Sequence, residues 1–233
     1  MLLTVKRLPV LAIATFFFSS SANAWLNVCE VNLTYQLTNI FQTGSHLFQY
    51  DNCHVDTSGS GISSGIVNFN TRSGDTWDVI SAYHDAKNEM NDFSIYGNAL
   101  QEKAASKSGS ISGLEGFCDV WKASVKDVLF RNAQDLVFNN LYVLPSQLEA
   151  SKLGLQHSVS MAALYDTGVS LGAGEGSSSL GGIIKTTNKK VTKDIPGKSN
   201  STIKVNGYSV DEIEWLNMFL EVRESKDSHD YLL

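Results

Sequence analysis

LTNIFQ at residues 37–42, Tyr50 and SGSGIS at residues 58–63 follow one another in the segment that decides the fold of this chain, Leu37–Asp75. Ahead of this segment and into it, apolar side chains recur at helical spacing, which predicts a helix over residues 27–41. After the helix the pattern changes to alternation and glycine, which predicts a small β-hairpin or a three-stranded ribbon. The segment therefore joins an early helix to one small β element.

The order and spacing of these residues resemble the signature of glycoside hydrolase family 46, the chitosanases. In that family a Glu precedes a Tyr, and an Asp-x-Arg-Gly-x-Thr/Ser motif follows the Tyr. This chain keeps the spacing, but Gln42 stands at the position of the Glu, Ser58 at that of the Asp and Ser60 at that of the Arg. The resemblance therefore implies that both catalytic carboxylates of the family are substituted.

These two substitutions change the chemistry that the segment can perform. In an inverting glycosidase a carboxylic acid protonates the leaving oxygen, and an ionised carboxylate activates a water on the opposite face of the sugar. The Gln42 amide has no dissociable proton, and the Ser58 hydroxyl has no basic form unless a neighbouring base ionises it. Because each lost group is typically worth roughly 10²–10⁴ in rate, we expect very slow hydrolysis of chitosan or none, unless another carboxylate has taken over.

Asp56 is the candidate for such a replacement. It precedes Ser58 by two residues, so in an extended chain the two side chains share a face, about 7 Å apart. Asp56 is thus a candidate displaced base. The alternative is that Asp56 is a solvated aspartate that stabilises the turn leading to Gly59.

Further short blocks resemble the same family in the same order, so the resemblance covers most of the chain after residue 24. They are Ser73-Gly74-Asp75, Phe117-Cys118, Lys126–Phe130, Leu164-Tyr165-Asp166, Leu180–Ile183, Leu216-Asn217 and Arg223.

The resemblance implies roles for five residues in or beside these blocks. Tyr50, Ser63 and Asp75 would bind substrate, and the Asp75 carboxylate could accept charge-assisted hydrogen bonds from glucosamine ammonium groups. Asp166 and Arg223 would belong to a buried ion network that supports the catalytic acid position. For Asp75 an N-cap of the following helix is a second reading that can coexist with the first, and for Tyr50 plain core packing is the alternative.

The resemblance also implies the fold class, which is mainly α: an α+β, lysozyme-like, two-lobed helical domain in which the small β element lines a cleft. Helical periodicity predicts one long central helix over residues 117–137 and a second from Pro145 to Gly168. A glycine- and proline-containing stretch at 193–209 is predicted to be an exposed loop. Further helices are predicted over residues 76–88, 94–105, 180–191 and 210–224.

The first 24 residues are predicted to be a secretory signal peptide. Lys6 and Arg7 form the positive region, Leu8–Phe18 the apolar core and Ala22–Ala24 the small-residue cleavage site. The apolar run is too short for a transmembrane span. We therefore expect cleavage after Ala24, a single chitosanase-like domain over residues 25–233, and a secreted or periplasmic protein.

Charge narrows the range of partners. The 233-residue chain has a formal net charge of −6, and removal of Lys6 and Arg7 with the signal peptide makes it −8. This balance disfavours nucleic acid and anionic membrane surfaces. It suits a cationic ligand such as chitosan or a related amino-sugar oligosaccharide, although many exported proteins are acidic for solubility alone. We expect a monomer.

Three cysteines permit at most one intramolecular disulfide. Export makes a disulfide chemically permissible, and the resemblance favours Cys53 with Cys118 because some chitosanases carry cysteines at the equivalent positions. Cys29 would then be a buried free thiol in the first helix. Scattered cysteines without CxxC spacing or nearby His pairs predict no metal site, and nothing in the sequence indicates a cofactor.

Three functions follow from these observations. The first is an exported chitosanase-family protein that recognises an amino-sugar polymer and is hydrolytically weak or inactive. The second is an active endo-glycosidase on chitosan or peptidoglycan that uses Asp56 or another cleft carboxylate. The third is a pseudoenzyme that binds another protein.

Overall fold

The computed structural model describes residues 27–87 and 91–230. The predicted signal peptide lies outside the described residues. Within them the chain is mainly helical with two small antiparallel sheets, which confirms the predicted α+β class. The helices are α1 Val28–Thr43, α2 Asp75–Lys87, α3 Gly97–Ser106, α4 Phe117–Ser124, α5 Val128–Phe138, α6 Leu144–Leu153, α7 Ser158–Leu171, α8 Leu180–Lys190 and α9 Glu212–Asp230. The strands are β1 Cys53–Val55, β2 Ile62–Ser64, β3 Phe69–Asn70, β4 Thr202–Val205 and β5 Tyr208–Asp211. None of the helices in this described part combines the length and the apolar composition of a membrane span.

Helix α1 is fixed at both ends. Asn27 caps its start, because its Oδ1 accepts hydrogen bonds from the amides of Cys29 at 2.9 Å and Glu30 at 3.1 Å. The Glu30 carboxylate accepts from the Asn27 amide at 2.8 Å, which completes a capping box. Gly44 ends the helix in the left-handed conformation with φ 73°. The last turn of α1, which carries Gln42, therefore has a defined position.

The predicted β element is three-stranded, in the order β1-β2-β3. His54 pairs with Ser63 and Val55 with Ile62 across the first hairpin, and Ser63 pairs with Asn70 across the second. Because successive side chains alternate between the faces of a sheet, Ser63 and its two pairing partners share one face.

A disulfide ties this sheet to α4. It joins Cys53 in β1 to Cys118, which is the pair that the resemblance indicated. Cys29 is free and exposed on α1, so the expectation of a buried thiol was wrong. The reason is that Cys29 lies on the outer face of α1, which no other described element covers.

The predicted central helix is two helices, α4 and α5, with a break at residues 125–127. Asp127 takes an extended conformation and its Oδ1 accepts from the Leu129 amide at 2.9 Å. Asp127 Oδ2 also accepts from Tyr83 Oη at 2.8 Å and forms an ion pair with Lys87 at 3.3 Å. An aspartate that caps a new helix and binds α2 therefore overrides the continuous apolar periodicity.

The predicted second helix is also divided, into α6 and α7. Gly154 ends α6 in the left-handed conformation with φ 70°, and α7 begins at Ser158 and continues beyond Gly168 to Leu171. A π-helical turn, Asn139–Val143, leads from α5 directly into α6. The apolar spacing correctly predicted helix on both sides of Gly154. It did not predict the turn that separates α6 from α7.

The predicted exposed loop over residues 193–209 was wrong in its second half, where β4 and β5 form a hairpin. Asn206 and Gly207 connect the strands with φ 53° and 86°, and an Asn-Gly pair favours this two-residue turn. The strand β5 occupies the first two residues that the sequence assigned to the last helix, so α9 begins at Glu212 instead.

Two hydrophobic cores give the molecule two lobes. The first core packs the three-stranded sheet with α2 to α5 and includes the fully buried Trp121 and Phe93. The second packs α6, α8, the β4-β5 hairpin and α9 and includes the fully buried Trp215. In α7 the neighbouring residues Leu164 and Tyr165 belong to the second and first core respectively, so this helix joins the lobes.

Candidate functional site

Gln42 lies in the last turn of α1, between α7 and the sheet. Its Nε2 donates a hydrogen bond to Ser170 Oγ in α7 at 3.0 Å. Its backbone carbonyl accepts from Asn68 Nδ2 at 2.6 Å, and Asn68 stands in the β2-β3 turn with φ 57°. Gln42 is therefore the point where the first helix contacts both the sheet and the helix that joins the lobes.

Three polar pairs hold α1 along α7. Besides Gln42 with Ser170, Ser158 Oγ donates to Glu30 Oε1 at 2.6 Å, and Thr38 Oγ1 donates to Asp166 Oδ1 at 3.0 Å. Each pair is separated by 128 residues, so the two helices run parallel and in register. The face of α1 that meets α7 therefore carries these three polar pairs, together with the Tyr35 ring that packs on Tyr165 of α7.

Asp166 also forms the predicted ion pair with Arg223. The Arg223 guanidinium in α9 lies 2.7 Å from Asp166 Oδ2, and both side chains are mostly buried, with exposed fractions of 19% and 25%. Because Thr38 is one turn before Gln42, this network supports the part of α1 that presents Gln42.

The second group of candidate residues forms a polar cluster at the first hairpin. Ser58 Oγ donates to Ser60 Oγ at 3.1 Å, and Asp56 Oδ1 accepts from the Ser58 amide at 2.8 Å. Ser63 Oγ donates to Asp56 Oδ2 at 3.5 Å and accepts from Asn70 Nδ2 at 3.2 Å. The structure thus brings together Asp56, Ser58, Ser60 and Ser63, with one carboxylate among three hydroxyls.

The Asp56 carboxylate is held in its ionised form. The backbone amide of Ser58, then the hydroxyls of Ser58 and Ser60, lower the pKa of Asp56 from its ordinary value, and these hydrogen bonds outweigh partial desolvation. A carboxylate in this state can accept a proton but is a weak base. The turn role and the displaced-base role are both compatible with these contacts.

Close backbone approaches fix the shape of the hairpin. A Cβ at Gly109, in the loop after α3, would lie 1.8 Å from the Gly59 carbonyl oxygen, so only glycine allows this contact. Gly61 has φ 103°, and a Cβ there would lie 2.3 Å from Thr71 Oγ1. Thr71 Oγ1 in turn accepts from the Ile62 amide at 3.0 Å. The close contacts made by Gly109 and Gly61 therefore fix the backbone that carries Ser58 and Ser60.

Tyr50 is anchored by residues outside the hairpin cluster. Its Oη donates to Asp135 Oδ1 in α5 at 2.7 Å, and its carbonyl accepts from Trp121 Nε1 at 2.8 Å and Gln134 Nε2 at 3.1 Å. Desolvation and the neighbouring Asp135 raise the pKa of Tyr50. These contacts give Tyr50 a structural role, and substrate contact at this residue stays a prediction.

Asp75 is the first residue of α2, one position earlier than the predicted helix start. Its Oδ2 accepts from Tyr142 Oη at 2.7 Å. Tyr142 lies in the π-helical turn, a feature that is frequent near functional sites, and burial followed by Asp75 raises its pKa. One carboxylate oxygen of Asp75 is therefore occupied by a hydrogen bond within the protein. Contact between Asp75 and substrate also stays a prediction.

Sequence reasoning missed the residues that hold the candidates in place. These are Ser170, Asn68, Asn70, Asp135 and Tyr142. Only Asn68 carried a local signal, since Asn tolerates the left-handed conformation in turns. Asn70 is seven residues from Ser63, but their contact depends on the register of the hairpin. Ser170, Asp135 and Tyr142 lie 67 to 128 residues from their partners, so no spacing pattern could reveal them.

An apolar cavity of about 260 Å³ lies on the opposite face of the first hairpin from Ser63 and contains none of the candidate residues. Val55, Ile62, Leu114 and Phe117 are among its lining residues. Within residues 27–87 and 91–230, no group of three His, Cys, Asp or Glu side chains is arranged to hold a metal ion.

Comparison with known proteins gives a consistent match over most of the chain. Glycosyl hydrolase family 46 matches residues 36–229. A chitosanase of Bacillus subtilis strain 168 is 33% identical over 218 residues, which cover 91% of this chain and 74% of that protein. A chitosanase of Streptomyces sp. strain N174 is 32% identical over 168 residues, 72% of this chain and 55% of that protein. The chain thus spans about three quarters of the first relative and about half of the second.

Solved structures agree with this match. The native chitosanase from Bacillus subtilis MY002 aligns with a TM-score of 0.74 at 33% identity, over 85% of this chain and 78% of that chain. A Gynuella sunshinyii GH46 chitosanase in complex with chitotetraose aligns with a TM-score of 0.75 at 32% identity, over 86% and 78%. A mutant of the B. subtilis MY002 enzyme, complexed with 6 GlcN, aligns equally well, with a TM-score of 0.74.

Proposed function

The chain belongs to glycosyl hydrolase family 46, and from that premise we propose that it is an exported protein that binds chitosan or a related amino-sugar oligosaccharide and hydrolyses it weakly or not at all. The substrate class comes from the relatives, two of which were solved with 6 GlcN and with chitotetraose. The acidic balance of this chain suits a polycationic ligand.

One observation carries the loss of activity in this proposal: within the described residues no acid is hydrogen-bonded to Gln42, and the carboxylate beside Ser58, Asp56, has a lowered pKa. The Gln42 amide is bound to the Ser170 hydroxyl, which is neither an acid nor a base at neutral pH. The Ser58 hydroxyl donates to Ser60, and the neighbouring Asp56 carboxylate, whose pKa is lowered at this turn, is too weak a base to ionise it.

In this proposal the protein still binds the oligosaccharide, because several contacts hold the structure around Gln42 and Ser58 in place. The Thr38–Asp166–Arg223 network supports α1, and the disulfide holds the sheet. Asp75 Oδ2 accepts from Tyr142, and its other carboxylate oxygen could accept from an ammonium group of the ligand. Export agrees with the disulfide, because such bonds persist in oxidising compartments.

A second candidate function is an active endo-glycosidase on chitosan or peptidoglycan in which Asp56 is the base. The hydrogen bond between Asp56 and Ser63 favours it, because a water beside Ser63 would lie within reach of an ionised carboxylate. This mechanism still lacks an acid at Gln42, which makes it the weaker candidate.

Two measurements on the same protein separate these functions. Calorimetry with a glucosamine hexamer measures binding, and an assay of reducing ends on chitosan and on peptidoglycan measures hydrolysis. We expect binding without clear turnover. Turnover that is abolished by Asp56→Ala and kept by Asp51→Ala would establish the enzyme instead, since Asp51 is an exposed aspartate in the same segment. Absence of oligosaccharide binding would indicate a protein-binding pseudoenzyme.

A further inference from the structure

Helix α1 exposes more large apolar side chains than an ordinary surface helix, although Tyr35 on its inner side packs on the first core. Its buried face carries Thr34, Thr38 and Asn39, with exposed fractions of 9%, 1% and 1%. Its outer face carries large apolar side chains that remain exposed: Leu33 at 60%, Leu37 at 57%, Ile40 at 48% and Phe41 at 76%. The polar pairs with α7 explain the buried face, and they leave the outer one without a partner in the described structure.

The exposed residues form one continuous surface, here called the α1 stripe: Cys29, Leu33, Leu37, Ile40 and Phe41. Spacings of four, four and three residues from Cys29 to Ile40 place these side chains along one side of a helix. Cys29 is free and exposed, and α1 is 16 residues long, or about 24 Å. An apolar surface of this kind on a folded protein marks an interaction site.

We propose, in place of the monomer expected from the sequence, that the α1 stripe is the interface of a homodimer, in which the stripe of one copy packs on the stripe of a second. Charge selects this occupant. The protein is acidic, so two copies repel each other over most of their surfaces, and like charges within an interface oppose association. Residues 31–50, which include most of the stripe, contain no Asp, Glu, Lys or Arg, so here two copies can meet without placing like charges together.

The chemistry of the stripe also suits a symmetric contact. Two copies can place their stripes face to face across a twofold axis, so that the same apolar residues contribute to the contact from both sides. Such an isologous contact is the commonest form of protein dimer. One helix face is smaller than the roughly 800 Å² per partner of a standard interface, so the dimer is weak and depends on concentration. This inference does not rest on the proposed function.

Sedimentation velocity over a range of micromolar concentrations tests the dimer, with Cys29→Ser as the background so that no intermolecular disulfide contributes. The mass is expected to rise from one chain to two as concentration increases. Leu37→Asp should weaken association about tenfold or more, because each copy then buries a charge in place of a leucine. Ile95→Asp is the matched control: Ile95 is 77% exposed outside the stripe, and this variant should dimerise like the background.

Labelling of Cys29 in the wild-type protein gives an independent readout that needs no variant. With freshly prepared monomeric protein and no reductant present, so that the Cys53–Cys118 disulfide stays closed, the rate constant for reaction of Cys29 with a thiol reagent should fall several-fold as protein concentration rises through the range of dimerisation. A protein that stays monomeric throughout, a dimer that survives Leu37→Asp in a folded variant, or a labelling rate independent of concentration would overturn the proposal. Slow labelling in a monomer would show that another part of the same chain covers the stripe, which also overturns it.

Discussion

Gln42 Nε2 donates a hydrogen bond to Ser170 Oγ at 3.0 Å, and this contact is the last of three polar pairs that align α1 with α7. It fixes the side chain at the position where the resemblance places the catalytic acid. A glutamate there could keep the same partner, because a hydroxyl can donate to a carboxylate or accept from a carboxylic acid. The site is therefore suited to a test by restoration.

We expect Gln42→Glu combined with Ser58→Asp to produce measurable cleavage of chitosan. Each restored group contributes roughly 10²–10⁴ in rate, and groups that act as a pair are not additive, so either single variant should stay near the wild-type rate. The assay of reducing ends measures the gain. Gln42→Glu with Ser58→Asn is the control for altered packing. A folded double variant without activity would contradict an intact substrate site.

The second prediction concerns the protonation of Asp56. Because the Ser58 amide and the neighbouring hydroxyls lower its pKa below the ordinary 3.8, Asp56 should remain ionised as pH falls through that value. Its stabilising contacts are then fully present above pH 3.8 and are lost below it as the folded carboxylate protonates. Carbon NMR of the Asp56 carboxyl group measures this titration in the absence of any turnover.

If the enzyme hypothesis holds, the same shift sets the acid limb of the rate profile, which should lie below pH 3.8. Ser60→Ala removes one hydroxyl donor and should move the titration upward, whereas Ser151→Ala, at an exposed position of α6 in the other lobe, should not move it. An Asp56 carboxyl that titrates at or above its ordinary value would contradict the hydrogen bonding described at this turn.

The third prediction concerns the ion pair between Asp166 and Arg223. Asp166→Ala should lower the free energy of unfolding by about 2–4 kcal/mol, because it leaves the Arg223 charge mostly buried without this partner and removes the acceptor of Thr38. Thr38→Val removes one hydrogen bond alone and should cost about 1 kcal/mol. Urea unfolding measures both. Equal effects of the two substitutions would mean that the ion pair contributes nothing.

The sequence alone predicted those helices and strands whose formation depends on neighbouring residues. The family resemblance then predicted how they assemble into the fold. The early helix, the three-stranded element and the helical character of the chain followed from periodicity and glycine spacing. The same periodicity could not reveal the breaks at Asp127 and Gly154, because apolar positions continue in phase on both sides of each break. The Asn206-Gly207 turn was visible in the sequence as a hairpin signal and was assigned to a loop instead.

The candidate site was predictable only in part. Asp56 and Ser58 are local neighbours, and the turn interpretation of Asp56 anticipated the contact between its carboxylate and the Ser58 amide, whereas the extended strand spacing did not, because residues 57–58 form a turn. Contacts such as Gln42 with Ser170 and Asp75 with Tyr142 join residues separated by 128 and 67 positions, and they depend on how the helices pack. The exposed apolar face of α1 was hidden for the same reason, because its periodicity is equally consistent with a face buried in the core.

The fourth prediction uses two glycines with similar backbone conformations. Gly59 and Gly65 have φ of 77° and 70°, so alanine is strained at both by about 1 kcal/mol or more. A Cβ at Gly59 has nothing within 4 Å, whereas one at Gly65 would lie 2.4 Å from Gln134 Oε1 and 2.9 Å from Trp121 Cζ2. Gly65→Ala should therefore cost about 1–3 kcal/mol more than Gly59→Ala in thermal or urea unfolding. Equal losses of stability in the two variants would indicate that the side chains around Gly65 rearrange to accept the added methyl group at no extra cost.

The last prediction concerns the disulfide between β1 and α4. Cys53 and Cys118 are 65 residues apart, and closing a loop of that length stabilises the folded state by about 4 kcal/mol in the chain-entropy model. Cys53→Ser with Cys118→Ser should therefore lower the free energy of unfolding by about that amount. Cys29→Ser should leave it nearly unchanged, because Cys29 is free and exposed. Adding a reductant should destabilise the Cys29→Ser protein and have no effect on the variant that lacks Cys53 and Cys118. A reductant effect that persists in that variant would contradict the assignment of this stability to the Cys53–Cys118 bond.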